Sequence, residues 1–374
     1  MKIVVAPDKF KGSLTSFEAC TAIAAGIAQA NRNAEILLFP MADGGDGFAD
    51  VMKYYLQTDT INHITVDPLG RKLNASYEWN SKTATAIIEM AVASGLELLS
   101  ESERNPLKTS TFGTGLLMKH AIDKGAKKII LGLGGSATSD AGTGILSALG
   151  FQLIGGDNIS LNASGENLLE IQRIIPPPFF PDVKLEIACD VQNVLYGVQG
   201  AAYVFAPQKG ANAAAVKLLD EGLRHFAGII KRLINKDIST IPGTGAAGGI
   251  AAGLMSFFDV ELKKGSDLIM EASGIKNKIT AVNLLITGEG KIDHQTLEGK
   301  VVSVLSSLAN SHKIPVAAFC GILEADPFLL RQLHLDFVDS LTTASINREE
   351  AMANARQILT HNVSLFYKNH FQNK

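Results

Sequence analysis

The sequence predicts an α/β protein in which a parallel sheet is built from both chain ends and a mixed-sheet α/β region is inserted between them. Three observations carry this. Near the N-terminus, short apolar runs twice end in glycine-rich, carboxylate-bearing loops that lead into helices, the rhythm of a parallel sheet. From His63 to Met90 three apolar runs follow one another across short turns with no helix between them, which predicts antiparallel pairing. The last quarter returns to strand–loop–helix. The expected division is residues 1–65 with 282–374 for the first domain and 66–281 for the insertion.

In order, Ile3–Val5 is a strand running into Pro7 to Ser13, and Thr15 with Glu18 has capping-box spacing for a helix to about Asn31. Ile36–Phe39 is a strand that ends in Pro40 to Gly47, followed by a helix to about Leu56. Strands are expected at 64–66, 74–79 and 83–88, and the segment Thr109–Gly115 opens a helix through Asp123. Ile129–Leu131 is a buried strand whose loop, Gly132 to Asp140, leads into a helix. Leu185–Cys189 and Tyr203–Phe205 read as strands, residues 213–234 as a helix, and Gly243–Gly249 as a second glycine cluster before an apolar helix. Leu284–Thr287 is a strand with the loop Gly288 to Asp293. Val301, Val304, Leu305 and Leu308 mark a helix face, and strands at 316–319 and 337–341 precede one closing helix from Arg348 to about Phe366.

A net charge of -3 and the lack of a basic run interleaved with aromatics argue against nucleic acid or a membrane surface as partner. Three cysteines without CxxC spacing make a disulfide framework or a zinc site a poor expectation. No apolar run is long enough to span a bilayer, and the N-terminus meets proline and charge too early for a signal peptide, so a cytoplasmic protein is expected.

The stretch 127–150 organises the chemistry. Glycines let a backbone approach a ligand, helix N-termini attract anions, and Ser136, Thr138 and Ser139 add hydroxyl donors. Asp140 at the same place is repulsive to phosphate unless it caps the helix or holds a cation. There is no Walker A loop, because Gly299-Lys300 is followed by Val301. Gly132-x-Gly134-x-x-Ala137 does match the dinucleotide fingerprint, with Asp157 near the distance of a ribose-binding acid, so an NAD(P)-dependent oxidoreductase stands as the alternative. Hydride transfer, however, gives no reason for the other glycine–carboxylate loops. A non-catalytic small-ligand binder is the third class.

Asp43, Asp46, Asp140, Asp190 and Asp293 each follow an apolar strand or sit in a glycine loop. Any one alone is better read as a cap or turn acid. Together, strand-end acids of one sheet converge, and phosphoryl transfer needs acids to hold magnesium and to accept a hydroxyl proton. Lys9, Lys11, Lys209 and Lys291 lie in comparable loops, and Arg71 in a tight turn has the fork to clamp a carboxylate. The histidines form no HxxxH or HxH pair, and there is no G-x-S-x-G elbow.

Read together, APDKFKGSLT, PMADGGDG, GLGGSATSDAGTG, ACDVQNVLYGVQGA, VFAPQKGA, PGTGAAGG and LLITGEGKIDHQTLEGK occur in the order that resembles bacterial glycerate kinases of type I, over essentially the whole chain. Asp46, Gln192, Val194, Val301 and Val302 depart from that family's pattern. The resemblance implies two α/β domains, one Rossmann- or flavodoxin-like, with the site between them. It also implies ATP-dependent, magnesium-assisted phosphorylation of D-glycerate, with 2-phosphoglycerate favoured as product. On this reading Gly134, Gly135, Ser136, Thr138, Lys209, Gly288 and Glu289 serve the nucleotide and its phosphates. Asp43, Gly44, Gly45 and Arg71 serve the acceptor, and Lys9 and Lys11 neutralise transferring charge or the acceptor carboxylate. Asp190 or Asp293 is the base, with Asp43, Asp140 and the other of that pair for magnesium. Dimerisation is left open.

Overall fold

The computed structural model describes residues 1–371. The chain forms two compact units, residues 1–43 with 264–374 and residues 44–263, so the chain passes between them at Asp43/Gly44 and Lys263/Lys264. The sequence reading had put these crossings at 65/66 and 281/282.

In the first unit, five parallel strands, numbered along the whole chain, are β1 (Lys2–Val5), β2 (Glu35–Leu38), β11 (Leu284–Ile292), β12 (Val316–Leu323) and β13 (Phe337–Ser340). Their spatial order is β2-β1-β11-β12-β13, the flavodoxin-like arrangement in which strand order reverses between β1 and β11. Strands buried on both faces read as continuous Val/Ile/Leu runs, which is why Ile3–Val5 and Leu284–Ile286 were recognisable. On one face Ile3, Val5, Ile286 and Phe319 pack with Ile23, Leu359, Val363 and Phe366 of the helices Ser16–Ala30 and Ala355–Phe371. On the other, Ala318 and Cys320 pack with Val302 and Leu329 of the helices Val301–Ser311 and Pro327–Gln332. Thr15 caps the first helix in the expected reciprocal box with Glu18. Gly26 is required where that helix meets the C-terminal one, since a Cβ there would lie 2.5 Å from the Thr360 carbonyl oxygen.

The second unit holds a six-stranded sheet in the order β10-β9-β6-β5-β4-β3. Strands β3 (Asp59–Val66), β4 (Lys72–Asn80) and β5 (Thr85–Glu89) pair antiparallel, as expected. Strands β5, β6 (Lys128–Gly132), β9 (Lys184–Ala188) and β10 (Asp259–Lys263) are parallel. Ile129, Leu131, Leu185 and Ile187 face one continuous core with Leu223, Phe226 and Ile230 of the helix Ala213–Ile234. A separate two-stranded ribbon pairs β7 (Gln152–Ile154) antiparallel with β8 (Arg173–Ile175).

Four local expectations change. Residues 201–205 form a helix, not a strand: Ala201 and Ala202 are buried in the core, and a short apolar run does not reveal its period. The strand at 284 continues through the supposed loop to Ile292, because β12 is long enough to pair Gly288 with Phe319 and Glu289 with Cys320. The closing helix breaks at Asn354, where the backbone leaves helical geometry (φ -111°, ψ 16°) while its N–H and its side chain both donate to the Glu350 carbonyl. Strand β10 had no sequence-level prediction, although Asp259 to Lys263 alternates charged and apolar residues.

Candidate functional site

In the first unit the carboxyl ends of the strands enclose a cavity of about 560 Å³ at the reversal point between β1 and β11, where open α/β sheets bind ligands. The loop after β1 supplies Asp8, Lys9 and Lys11, and the segment after β2 supplies Asp43. Strand β11 supplies Glu289 and Lys291, and Lys300, Glu324 and Arg348 complete the charged lining. Phe10, Ile322, Leu341 and Met352 give apolar walls. The loop after β1 is held down by its backbone: Asp8 N–H donates to the Gly288 carbonyl at 2.8 Å, and Phe10 and Leu14 form an isolated bridge. Gly288 permits this closeness, because a Cβ there would meet the Phe319 carbonyl oxygen at 2.2 Å and the Phe10 ring at 3.2 Å.

Four carboxyls share this cavity: Asp8, Asp43, Glu289 and Glu324. Asp8 is buried, and its pKa is pushed well above the ordinary value by that burial and then by the neighbouring charges of Asp43 and Glu289, with Lys9 opposing. Glu289 is also buried and is pushed up to about 7, chiefly by burial. It accepts the Thr296 hydroxyl at 2.7 Å and faces Lys300 Nζ at 3.8 Å. Lys291 is occupied by acids, with Glu324 at 2.7 Å and Asp293 at 3.2 Å. Asp293 itself caps the short turn at 294–298, accepting the Gln295 N–H at 2.9 Å, and is not part of the cavity wall.

In the second unit the glycine loop after β6 is built against four other segments. Gly134 packs on Gly45, where a Cβ would lie 2.5 Å from the Gly45 Cα, and Gly132 packs on the Gly44 carbonyl. Ala137 N–H donates to the Ser94 carbonyl, and Thr109 Oγ1 donates to the Ala137 carbonyl. Gly248, at φ 75°, lies under Thr138 and Ser139, where a Cβ would meet the Thr138 carbonyl oxygen at 2.3 Å. Only Gly134 and Gly135 reach the surface; Ser136 and Thr138 are turned inward. Lys209 is likewise buried rather than facing a ligand, its Nζ donating to Ser136 Oγ at 2.8 Å and to the Thr138 carbonyl at 2.6 Å. Burial lowers its pKa to about 7, partly offset by Asp140.

The helix that follows, Thr143–Ala148, is not free to receive an anion. Fully buried Asp140 accepts from Thr111 N–H and Oγ1 at 2.8 Å each, from Gly142 N–H at 3.1 Å and from Gly144 N–H at 3.2 Å. Thr111 Oγ1 accepts the Ile145 N–H. Of the two roles open to Asp140, capping is the one these hydrogen bonds supply, from a carboxylate that is fully buried. Arg71 clamps carboxylates, but they are Asp67 and Glu103 of its own neighbourhood. Asp190 is partly exposed at the carboxyl end of β9, the strand beside β6. The candidate metal acids are therefore divided: Asp43 and Asp293 lie in the first unit, Asp140 and Asp190 in the second. Among the described residues no three His, Cys, Asp or Glu side chains are grouped to hold a metal ion.

The dinucleotide alternative loses its frame. Asp157 follows β7, which lies in the antiparallel ribbon and not beside β6 in the parallel sheet where a ribose-binding acid belongs.

The glycerate kinase family profile matches residues 3–368. The chain belongs to the glycerate kinase family. It is 41% identical over 360 residues to a glycerate kinase of Halalkalibacterium halodurans, covering 96% of this chain and 95% of the relative. It is 39% identical over 358 residues to the glycerate 2-kinase of Escherichia coli, covering 95% and 94%. A crystal structure described as that of a glycerate kinase 2, from Salmonella typhimurium, superposes with a TM-score of 0.85 at 36% identity, covering 100% of this chain and 99% of that one. As a family member the chain is a kinase, and its α/β architecture is that of a glycerate kinase. No helix among the described residues is long and apolar enough to cross a membrane.

Sequence reasoning had assigned this glycerate kinase no role for Asp8, Lys300 or Arg348. Asp8 was findable by the rule applied to the other aspartates, since it follows an apolar strand directly. Lys300 and Arg348 carry no local signal.

Proposed function

We propose that this kinase transfers the γ-phosphoryl group of magnesium-bound ATP to the 2-hydroxyl of D-glycerate, giving 2-phosphoglycerate. The observation that carries the reading is the cavity at the sheet's reversal point, where four carboxyls face several cations in a member of the glycerate kinase family. A small acceptor acid needs a cation for its carboxylate and a base for its hydroxyl, and this lining supplies both. Lys11 and Arg348 suit the acceptor carboxylate, and Lys9 suits the charge in transfer. The exposed backbone of Gly134 and Gly135 suits the nucleotide phosphates, with Lys209 and Asp140 shaping that loop from within.

Magnesium that arrives on ATP keeps several waters and needs only one or two protein carboxylates, so the lack of a three-acid cluster fits it. Asp190, partly exposed beside the glycine loop, is the residue we assign to it. When bound, magnesium neutralises charge on the transferring phosphates. The 2-position as acceptor is supported by the Escherichia coli relative, a glycerate 2-kinase. The test is one product analysis: purified protein, ATP, magnesium and D-glycerate, with the two phosphoglycerate isomers separated by phosphorus NMR. 2-Phosphoglycerate is expected; 3-phosphoglycerate would overturn the regiochemistry, and ATP consumption independent of glycerate would overturn the acceptor.

A further inference from the structure

We infer that Asp8, not Asp190 or Asp293, is the general base that takes the proton of the attacking hydroxyl. The inference rests on the acceptor lying in the cavity of the first unit. Among the acids of that cavity, Asp8 alone combines burial, placement at the end of β1 and a sparsely bonded carboxylate. Among the described residues it accepts one hydrogen bond, from the Lys9 N–H to Oδ1 at 2.6 Å. Glu289 is committed to Thr296 and Lys300, and Glu324 to Lys291. Asp293 is spent as a cap and as a partner of Lys291.

A base must present a lone pair to the hydroxyl without first breaking structural bonds, and Asp8 meets that condition. The groups facing it are Asp43 from the segment after β2, Glu289 from β11 and Lys9 from its own loop. Burial raises its proton affinity most, the two acids add to that rise, and Lys9 opposes it.

The step balances as follows. The hydroxyl oxygen attacks the γ-phosphorus while its proton passes to the Asp8 carboxylate. The bond from the γ-phosphorus to the β,γ-bridging oxygen breaks, and its electron pair leaves with ADP. Asp8 then returns its proton to solvent. Glu289 and Asp43 are positioning residues in this scheme, holding negative potential against Asp8 so that it accepts the proton.

Asp8→Asn and Asp8→Glu are compared with wild-type enzyme, each checked by thermal melting, with ATP consumption measured against D-glycerate and against magnesium. Wild-type turnover that depends on glycerate tests the functional reading separately, before any variant is compared. Asp8→Asn is expected to lower kcat by about 10²–10⁴-fold with the KM for ATP unchanged. Asp8→Glu is expected to keep the fold and lose most of kcat, because the carboxylate is displaced by a methylene. Folded variants that keep kcat within tenfold of wild type overturn the assignment. So does recovery of Asp8→Asn by raised magnesium, which would make Asp8 a metal ligand. Should neither variant fold, the kcat–pH profile of Glu289→Gln decides, because Glu289, pushed up to about 7, is the other raised acid of the cavity: an acid limb that persists above the ordinary aspartate range supports Asp8, and activity undiminished down to about pH 4 overturns it.

Discussion

Replacing Lys209 with methionine tests whether a buried amine shapes the glycine loop. The substitution keeps the apolar stem and removes Nζ, which donates to Ser136 Oγ and to the Thr138 carbonyl. Leaving those buried acceptors unpaired costs about 1–3 kcal/mol at any pH. A second effect depends on pH. Burial lowers the amine from 10.5 to about 7, so between those values the unfolded chain holds a proton that the folded chain lacks. The unfolded state then binds more protons, and stability rises with pH, by at most about 1.4 kcal/mol per unit. The contribution is fully present above the unfolded value and is lost as pH falls toward the folded one. Allowing for half-protonation at the lower limit, wild type gains roughly 2 kcal/mol from this group between pH 7 and pH 9. The methionine variant lacks that gain. Its deficit should therefore be larger at pH 9 than at pH 7, by a difference in Tm of about 4–8 °C for a unit of this size. Thermal melts of both proteins at pH 7, 8 and 9 measure it. Two melting temperatures that move in parallel across the range would show that Lys209 keeps the same protonation state folded and unfolded, and the reasoning would fail.

Other outcomes follow from the same geometry. Gly134→Ala forces a methyl group to within 2.5 Å of the Gly45 Cα, a backbone contact that cannot yield, so the loop moves; kcat should fall on the order of 10²-fold in steady-state assays with the KM for ATP raised. Asp140→Asn leaves one acceptor oxygen for four donors and should destabilise by about 2–4 kcal/mol in denaturant melts, with the magnesium dependence of turnover unchanged. Arg71→Ala should leave the KM for glycerate as it is, because the guanidinium is already bound to Asp67 and Glu103; a large rise in that KM would return Arg71 to the acceptor site.

Much of the fold was legible because parallel strands buried on two faces write themselves as apolar runs, and the Thr15–Glu18 box marked its helix start directly. What failed had a common cause. Whether 284–287 stops at Gly288 depends on the length of β12, which is not encoded near Gly288. Whether 203–205 is strand or helix depends on the core around Ala201 and Ala202, and residues 44–65 belong to the second unit because β3, which runs to Val66, pairs with β4 along its length.

The aspartates show the same limit at the level of chemistry. Asp8, Asp140, Asp190 and Asp293 share one sequence description, an acid just past an apolar strand or in its glycine loop. What separates them is who takes the carboxylate's lone pairs. Asp293 has Thr296 three residues on, and Asp140 has Gly142 and Gly144, so both find N–H donors or a reciprocal hydroxyl within a turn. Asp8 has no such local set beyond Lys9 and is instead surrounded by Asp43 and Glu289, acids remote in sequence. They meet because β11 lies beside β1 and β2 lies on its other side. Burial at the end of β1, and then the acid neighbours that strand order supplies, turn one of four similar aspartates into a carboxylate of raised proton affinity.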